Sequence, residues 1–248
     1  NPTNSTIADA QGEGRILDNA DKPSLSVSTT EVVEGGYAVF NIQLSNPSTQ
    51  DVTFDLTPKE GTATQDDYSS IVEVSYDGGV TWTPASEAII PAGKTQILAR
   101  VQTTQDDIDE LVEKFTLTAD ITSGNTTNVS STGTASILDN DGEPQIVISD
   151  SSVNEEDGLL TFVVSLSNPS SNVVTVNYVT ADGTAIAGSD YVSSTGTITF
   201  APGETSKIIT VAVLDDNVFE NPESMYVNLL NPTNSTIADA QGEGRILD

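Results

Sequence analysis

The chain contains no cysteine and no histidine among its 248 residues. Disulfides, thiolate metal sites, imidazole bases and the common zinc sites are thereby excluded. Basic residues are also scarce: eight Lys and Arg face 37 Asp and Glu, for a formal net charge of −29. A nucleic-acid binder needs the opposite field, so that class of partner is excluded. Aromatic side chains make up only 5% of the residues, too few to line a sugar-binding cleft around a carboxylate pair. An enzyme is accordingly not expected. No apolar run approaches the roughly 18 residues of a membrane-spanning helix, and the first residues carry no signal-peptide pattern. Any export signal is expected elsewhere in a longer parent protein.

What the chain does have is repetition. "NPTNSTIADAQGEGRILD" stands at 1–18 and again at 231–248. "GYAVFNIQLSNPS" at 36–48 parallels "GLLTFVVSLSNPS" at 158–170, and "GTATQDDYSS" at 61–70 parallels "GTAIAGSDYVSS" at 183–194. "IPAGKTQILARVQTTQDDIDELVEKF" at 90–115 matches "FAPGETSKIITVAVLDDNVFENPESM" at 200–225, and "GTASILDND" at 133–141 matches the closing "GEGRILD". The expected organisation is a terminal strand of a preceding copy at 1–20, one complete module at 21–141 and a second at 142–248. Identical ends around two different modules point to an array in which modules recur.

Periodicity is that of β-structure throughout. Phe40, Ile42 and Leu44 alternate with Asn41 and Gln43, the pattern of a half-buried strand. Phe162, Val164 and Leu166 repeat it, as do Ile97, Ala99 and Val101 against Ile209, Val211 and Val213. Turn clusters such as "SNPS", "PAGK" and "APGET" separate these runs. About seven short strands in each module of about 100–120 residues predict an all-β fold: two tandem antiparallel Greek-key, immunoglobulin-like β-sandwiches joined head to tail. Module one carries an insertion, "IVEVSYDGGVTWTPASEAI" at 71–89. Within it "SYDGGVTW" fits the Asp-box pattern, a hairpin turn of sialidase propellers. A single copy predicts a structural turn, with Asp77 capping it, Gly78 and Gly79 at positive φ and Trp82 packed.

Acidic residues follow the strand plan. If each connection reverses direction, Glu155, Glu156 and Asp157 fall in loop A–B of module two, Asp190 in C–D, and Asp215, Asp216, Glu220 and Glu223 in or beside E–F, with Asp248 at the exit of G. The opposite end holds Glu204 alone. Module one repeats this with Glu34, with Asp66 and Asp67, with Asp106, Asp107, Asp109, Glu110 and Glu113, and with Asp139 and Asp141; only Lys114 lies among them as an internal counter-ion. A pair of like charges about 4 Å apart costs on the order of 4 kcal/mol at an effective dielectric near 20. Such a tip either raises pKa values or binds a cation. Carboxylate and carbonyl oxygens with no nitrogen or sulfur suit Ca²⁺, and its roughly 6–8 ligands imply more than one ion per tip. No EF-hand loop is present, and "DNDG" at 139–142 matches too little of one.

The stretch "DGTAIAGSDYVSSTGTITFAPGETSKIITVAVLDDNVFENPESMYVNL" resembles a Calx-beta domain, the module of sodium–calcium exchangers, integrin β4 and many large bacterial surface proteins. "DGTA", "GSDY", "G-T-x-x-F-x-P-G" and "DD-x-x-x-E-x-x-E" occur in order over nearly all of 142–248, and module one is similar but diverged. The resemblance implies Ca²⁺ as the bound ion. It implies Glu155, Asp190, Asp215, Asp216, Glu220 and Glu223 as ligands in module two, with the carbonyl of Val218 and Asp248 at the end of strand G; Glu156 is the alternative to Glu155. In module one it implies Glu34, Asp67, Asp106, Asp107, Glu110 and Glu113, the carbonyl of Ile108, and then Asp139 and Asp141. Gln105, Asn217 and Asn140 depart from that pattern by replacing acids, so fewer or weaker ions are expected.

Strand G leads through "LDNDGEP" straight into the next module, which places one module's acidic tip at the junction with its neighbour. The first expectation is a Ca²⁺-rigidified stalk of a large secreted bacterial adhesin, extracellular or at the cell surface, whose partners are neighbouring repeats of the same chain. The alternatives are a calcium-sensing regulatory pair and a ligand-binding adhesion module using Trp82. A strand-swapped contact through residues 1–18 is a further expectation.

Overall fold

The computed structural model describes residues 21–248 other than Asn217, together with residues 3, 4, 6, 11 and 13–15. The expected extra strand and swap of residues 1–18 fall largely outside the described residues, as does Asn217. In module one the alternating runs form β1 (Leu25–Val27), β2 (Thr30–Val33), β3 (Tyr37–Leu44), β4 (Val52–Glu60), β5 (Tyr68–Ser75), β6 (Thr83–Pro84), β7 (Glu87–Ile90), β8 (Gln96–Thr103), β9 (Glu113–Ser123) and β10 (Ser130–Leu138). Module two follows with β11 (Gln145–Ile148), β12 (Ser151–Asn154), β13 (Leu159–Leu166), β14 (Val174–Asp182), β15 (Thr195–Phe200), β16 (Ser206–Ala212), β17 (Glu223–Thr233), β18 (Thr236–Ile237) and β19 (Gln241–Leu247). A short 3₁₀ turn spans Glu155–Asp157. Among the described residues no helix is long and apolar enough to cross a membrane.

Each module is two sheets face to face. Module one orders its strands β1-β3-β8-β5-β6 and β2-β10-β9-β4-β7; module two orders them β16-β13-β11-β18 and β12-β19-β17-β14-β15. The inward residues of the alternating runs form two separate cores, one around Phe40, Phe54 and Phe115, the other around Phe162, Phe200 and Met225.

Two features depart from the strand plan. Strand A does not simply reverse into B. It divides, so that β11 pairs antiparallel with β13 while β12 crosses to the other sheet and runs parallel to β19. β1 and β2 divide in the same way, and the pairing of β2 with β10 is likewise parallel. In module one this segment forms an edge of each sheet, whereas in module two β18 lies outside β11. The insertion is also more than a turn. β5 and β6 add strands beside β8, while β7 takes the place beside β4 that β15 holds beside β14. In module two β16 remains an edge strand, marked by the Lys207–Glu204 ion pair at 2.7 Å.

The turn chemistry of the insertion is as its residues predict. Gly78 and Gly79 have φ of 78° and 94°. Asp77 Oδ1 accepts from Ser75 Oγ, Val80 N–H and Thr81 N–H at 2.7, 3.0 and 2.9 Å, and Oδ2 accepts from Thr81 Oγ1 at 2.6 Å. These bonds, the Thr81 hydroxyl foremost, hold the carboxyl below the usual range. Trp82 is half-buried and donates from Nε1 to the Gly79 carbonyl at 3.0 Å. Its ring and that of Tyr37 flank the Arg100 guanidinium at 4.4 and 3.8 Å, and Arg100 Nε donates to Glu73 at 2.7 Å.

Candidate metal centre

The acidic tip of each module is built by backbone bonds that draw three loops together. In module one Glu34 follows β2, where its N–H donates to the Leu138 carbonyl at 3.0 Å and so ties loop A–B to the end of β10. Gly35, at φ 73°, then donates to Thr104 at 2.9 Å and joins the same loop to the start of E–F. Thr104 in turn donates to the Asp67 carbonyl at 2.9 Å, as Leu214 donates to Asp190 at 2.9 Å in module two. The "GTA" stretch leading into this loop has a steric origin. A Cβ at Gly61 would lie 2.4 Å from the Lys114 carbonyl oxygen, and one at Gly183 would lie 2.4 Å from that of Ser224.

The aspartate of each "DY" pair closes its own turn. Asp67 Oδ2 accepts from Thr64 N–H and Oγ1 at 2.6 and 3.0 Å, and Asp190 Oδ2 accepts from Ile186 N–H at 2.6 Å. In module two Asp182, which sequence reasoning did not single out, supports this loop by accepting from Tyr191 OH at 2.6 Å and Ala187 N–H at 2.9 Å. The "DGTA" motif was the available signal for it. Its counterpart in module one is Glu60, which makes no such bond to the buried Tyr68 hydroxyl.

Among the described residues three carboxylate groups result. Glu34, Asp139 and Asp141 offer oxygens within 4.8 Å of one another, as do Asp67, Glu110 and Glu113 in module one and Asp190, Glu220 and Glu223 in module two. Glu34 is only 7% exposed and Glu155 only 8% exposed, whereas Glu156 is exposed, so the loop A–B acid directed inward is Glu155. Glu155 and its alternative Glu156 both line one cavity with Asp215, Asp216, Val218 and Asp248, into which Phe219 also opens. Asp248 accepts from Glu220 N–H at 2.9 Å.

Crowding and burial are expressed as raised pKa values. Burial pushes Glu34 up to about 7, aided by a hydrogen bond with Asp141 and the charges of Asp139 and Asp141. Burial also carries Glu110 to about 7, with the charges of Asp67, Asp106 and Asp139 next. Glu113 reaches about 7 through burial, a hydrogen bond with Asp67 and that residue's charge. Glu155 and Glu223 move in the same direction, again by burial first and then by neighbouring acids, Asp216 for the former and Asp190 for the latter. The charge of Asp139 reaches Glu110, so the two groups of module one form one electrostatic unit.

The E–F loops align in sequence and share one capping bond. Ile108 N–H donates to Asp106 Oδ1 at 2.8 Å, and Val218 N–H donates to Asp216 Oδ1 at 2.6 Å. This register pairs Gln105 with Asp215, Asp107 with Asn217, Asp109 with Phe219, Glu110 with Glu220 and Glu113 with Glu223. Asp107 stands apart from the three groups and lines a groove at the module junction with Asp141, Gly142 and Pro169. Gln105 occupies the position of an acid and neutralises locally: its amide donates to Glu34 Oε1 at 2.8 Å, while its oxygen accepts from Asn140 at 3.0 Å. Lys114 is not the expected counter-ion within the tip. It is an exposed residue of β9 whose groove is shared with Glu31, Thr134 and Ser136, because strand alternation turns it away from the tip. The ion pairs among the described residues are Arg100–Glu73 and Lys207–Glu204.

A hard cation fits these donors. No N–H or hydroxyl donor reaches buried Glu113 Oε2 or Asp141 Oδ2, whose neighbours are the other carboxyls of their groups. Burying such oxygens unpaired is costly, and an all-oxygen donor set is the preference of Ca²⁺.

Both halves of the chain are matched by one family. The Calx-beta domain model matches residues 18–143 and again 139–245. Over 67 residues the chain is 49% identical to sodium/calcium exchanger 2 of Rattus norvegicus, covering 27% of this chain and 7% of that protein. Over 71 residues it is 48% identical to sodium/calcium exchanger 1 of Canis lupus familiaris, covering 29% of this chain and again 7% of the relative. The chain thus matches a small part of these exchangers' length. Among solved structures, the apo-form Calx CBD1 domain matches at TM-score 0.41 and 30% identity, covering 43% of this chain and 98% of that one. CBD12 from CALX1.2 matches at TM-score 0.40 and 16% identity, covering 90% and 99% respectively. With both halves matched by the family model, the chain belongs to the Calx-beta family as a tandem pair of domains, with Ca²⁺ as its ion.

Proposed function

We propose that this pair is a structural extender, a calcium-stiffened segment of the stalk of a large secreted bacterial adhesin, acting outside the cell and not as an enzyme. The observation that supports this is the use made of one loop. Asp106, Glu110 and Glu113 of loop E–F belong to the acidic tip, and between them Asp109 reaches into the following module. Its N–H donates to the Pro169 carbonyl at 3.0 Å, its carbonyl accepts from Ser171 N–H at 2.9 Å, and Oδ2 accepts from Ser170 Oγ at 2.8 Å. Glu34, Asp139 and Asp141 on one side, and Asp67, Glu110 and Glu113 on the other, would hold the ions. Their positive charge offsets the repulsion that otherwise loosens both the loop and the short link Asp139–Pro144. Lower ligand charge at Gln105 and Asn140 suits the millimolar calcium of an external medium.

The local identity to sodium/calcium exchangers favours a second reading, a calcium-sensing regulatory pair. A ligand-binding role for Trp82 loses support, because its ring is spent on Arg100 and its N–H on Gly79. Equilibrium dialysis of the full chain against radioactive calcium separates the first two. Half-saturation at about 0.1–10 mM supports the extender; saturation below about 1 μM overturns it in favour of the sensor.

A further inference from the structure

The register of the two E–F loops places an unexplained residue at a position of known use. Asp109 is the residue through which module one grips module two, and its counterpart is Phe219. Phe219 is 86% exposed and the adjacent Val218 is 58% exposed, whereas Ile108 is half-buried and so is Asp109, which is bonded to the next module. An exposed phenylalanine within a loop of carboxylates has no role in holding a cation.

The surface that Asp109 grips is duplicated as well. It is the B–C turn of module two, in which Asn172 N–H donates to Ser170 Oγ at 3.1 Å, Gly203 N–H donates to the Ser170 carbonyl at 3.0 Å and Asn168 donates to the Gly142 carbonyl at 2.9 Å. Module one repeats each bond: Gln50 N–H to Ser48 Oγ at 3.0 Å, Gly93 N–H to the Ser48 carbonyl at 2.9 Å and Asn46 to the Asp21 carbonyl at 2.9 Å. Pro47 and Thr49 there are exposed where Pro169 and Ser171 meet Asp109. The sequence also bears on the order of modules. It shows a segment identical to the end of module two, 231–248, standing before module one, at 1–18.

We propose that Phe219 is the centre of a docking surface for the Pro47–Thr49 turn of a following module-one copy. Four of the five Asp109 bonds use its backbone N–H or carbonyl and are open to any residue. At position 219 the Phe ring replaces the carboxylate–serine bond with apolar contact to the exposed proline. Polar and apolar joints would then alternate along an array. The inference concerns a protein–protein contact and does not depend on the calcium affinity that separates extender from sensor.

The chain has no cysteine, so single engineered cysteines report contact cleanly. Full-length Phe219→Cys and Thr49→Cys chains are mixed in calcium buffer and oxidised, with Thr210→Cys, on the exposed face of edge strand β16, as the control partner. The 219–49 heterodimer is expected to form at least about tenfold faster than the 219–210 or 219–219 dimers. Equal rates, or a dominant 219–219 dimer, overturn the assignment. In sedimentation of the cysteine-free chain at high concentration, Phe219→Ser is expected to weaken head-to-tail association about tenfold, as loss of an aromatic anchor does. Unchanged association also overturns it.

Discussion

Substituting Glu113 by Gln is expected to stabilise module one without calcium and to weaken its response to calcium. Glu113 is half-buried, hydrogen-bonded with Asp67 and held up to about 7 by burial and then by that neighbour, against an ordinary value of 4.5. The folded chain therefore binds this proton more tightly than the unfolded chain does. Stability from this group is complete below about pH 4.5 and is lost as pH rises through about 7. At about 1.4 kcal/mol per pH unit, that interval bounds the loss at about 3 kcal/mol, and screening at the tip reduces it to about 1.5–3 kcal/mol. Gln is neutral, like the protonated acid, and removes the penalty. Trp82 is the chain's only tryptophan and lies in module one, so urea unfolding followed by its fluorescence reports that module. At pH 8 in chelator Glu113→Gln should be more stable by about 1.5–3 kcal/mol, and near pH 4 the two chains should coincide. In millimolar calcium the advantage should vanish or reverse, because a charged ligand has gone. A variant less stable than the parent in chelator at pH 8 would refute the reasoning.

Calcium binding at pH 7 should release protons, because Glu34, Glu110 and Glu113 all sit near 7 in the metal-free fold and must ionise to bind. Titration calorimetry in buffers of different ionisation heat should show the release, and it should disappear by about pH 9. Gln105→Asp removes the amide that neutralises Glu34 and should have the opposite effect to Glu113→Gln, lowering metal-free stability by about 1–2 kcal/mol and enlarging the calcium response. Gly183→Ala drives a methyl to 2.4 Å from the Ser224 carbonyl and should cost module two about 1–3 kcal/mol in thermal unfolding.

Legibility followed periodicity. The long alternating runs that became β3, β8, β13 and β16 were plain, because one face of each meets a core and the other meets solvent. The divided strand A was not. "TEVV" and "SSVN" are short segments with no fully buried position, paired in parallel at an edge, and they carry no contrast between faces. The acidic tip was legible from connectivity alone, since antiparallel strands send alternate loops to one end. Side-chain direction within "QDDID" was not legible, because a loop has no period. Asp106 turns to cap Ile108, Asp107 faces the junction groove, and Asp109, for which no role was expected, crosses to Ser170. Lys114 misled for the opposite reason: it is a strand residue, and the strand turns it outward.

The central claim is that the carboxylate tips are calcium sites coupled to the stability of the fold. Differential scanning calorimetry of the full chain tests it most directly, in chelator and then from micromolar to millimolar calcium, with magnesium as control. Ions that bind only the folded state raise the melting temperature logarithmically with concentration. The account predicts a steep rise between about 0.1 and 10 mM calcium and little response to magnesium, whose compact octahedral shell suits a crowded carboxylate tip poorly. A melting temperature indifferent to calcium would contradict it.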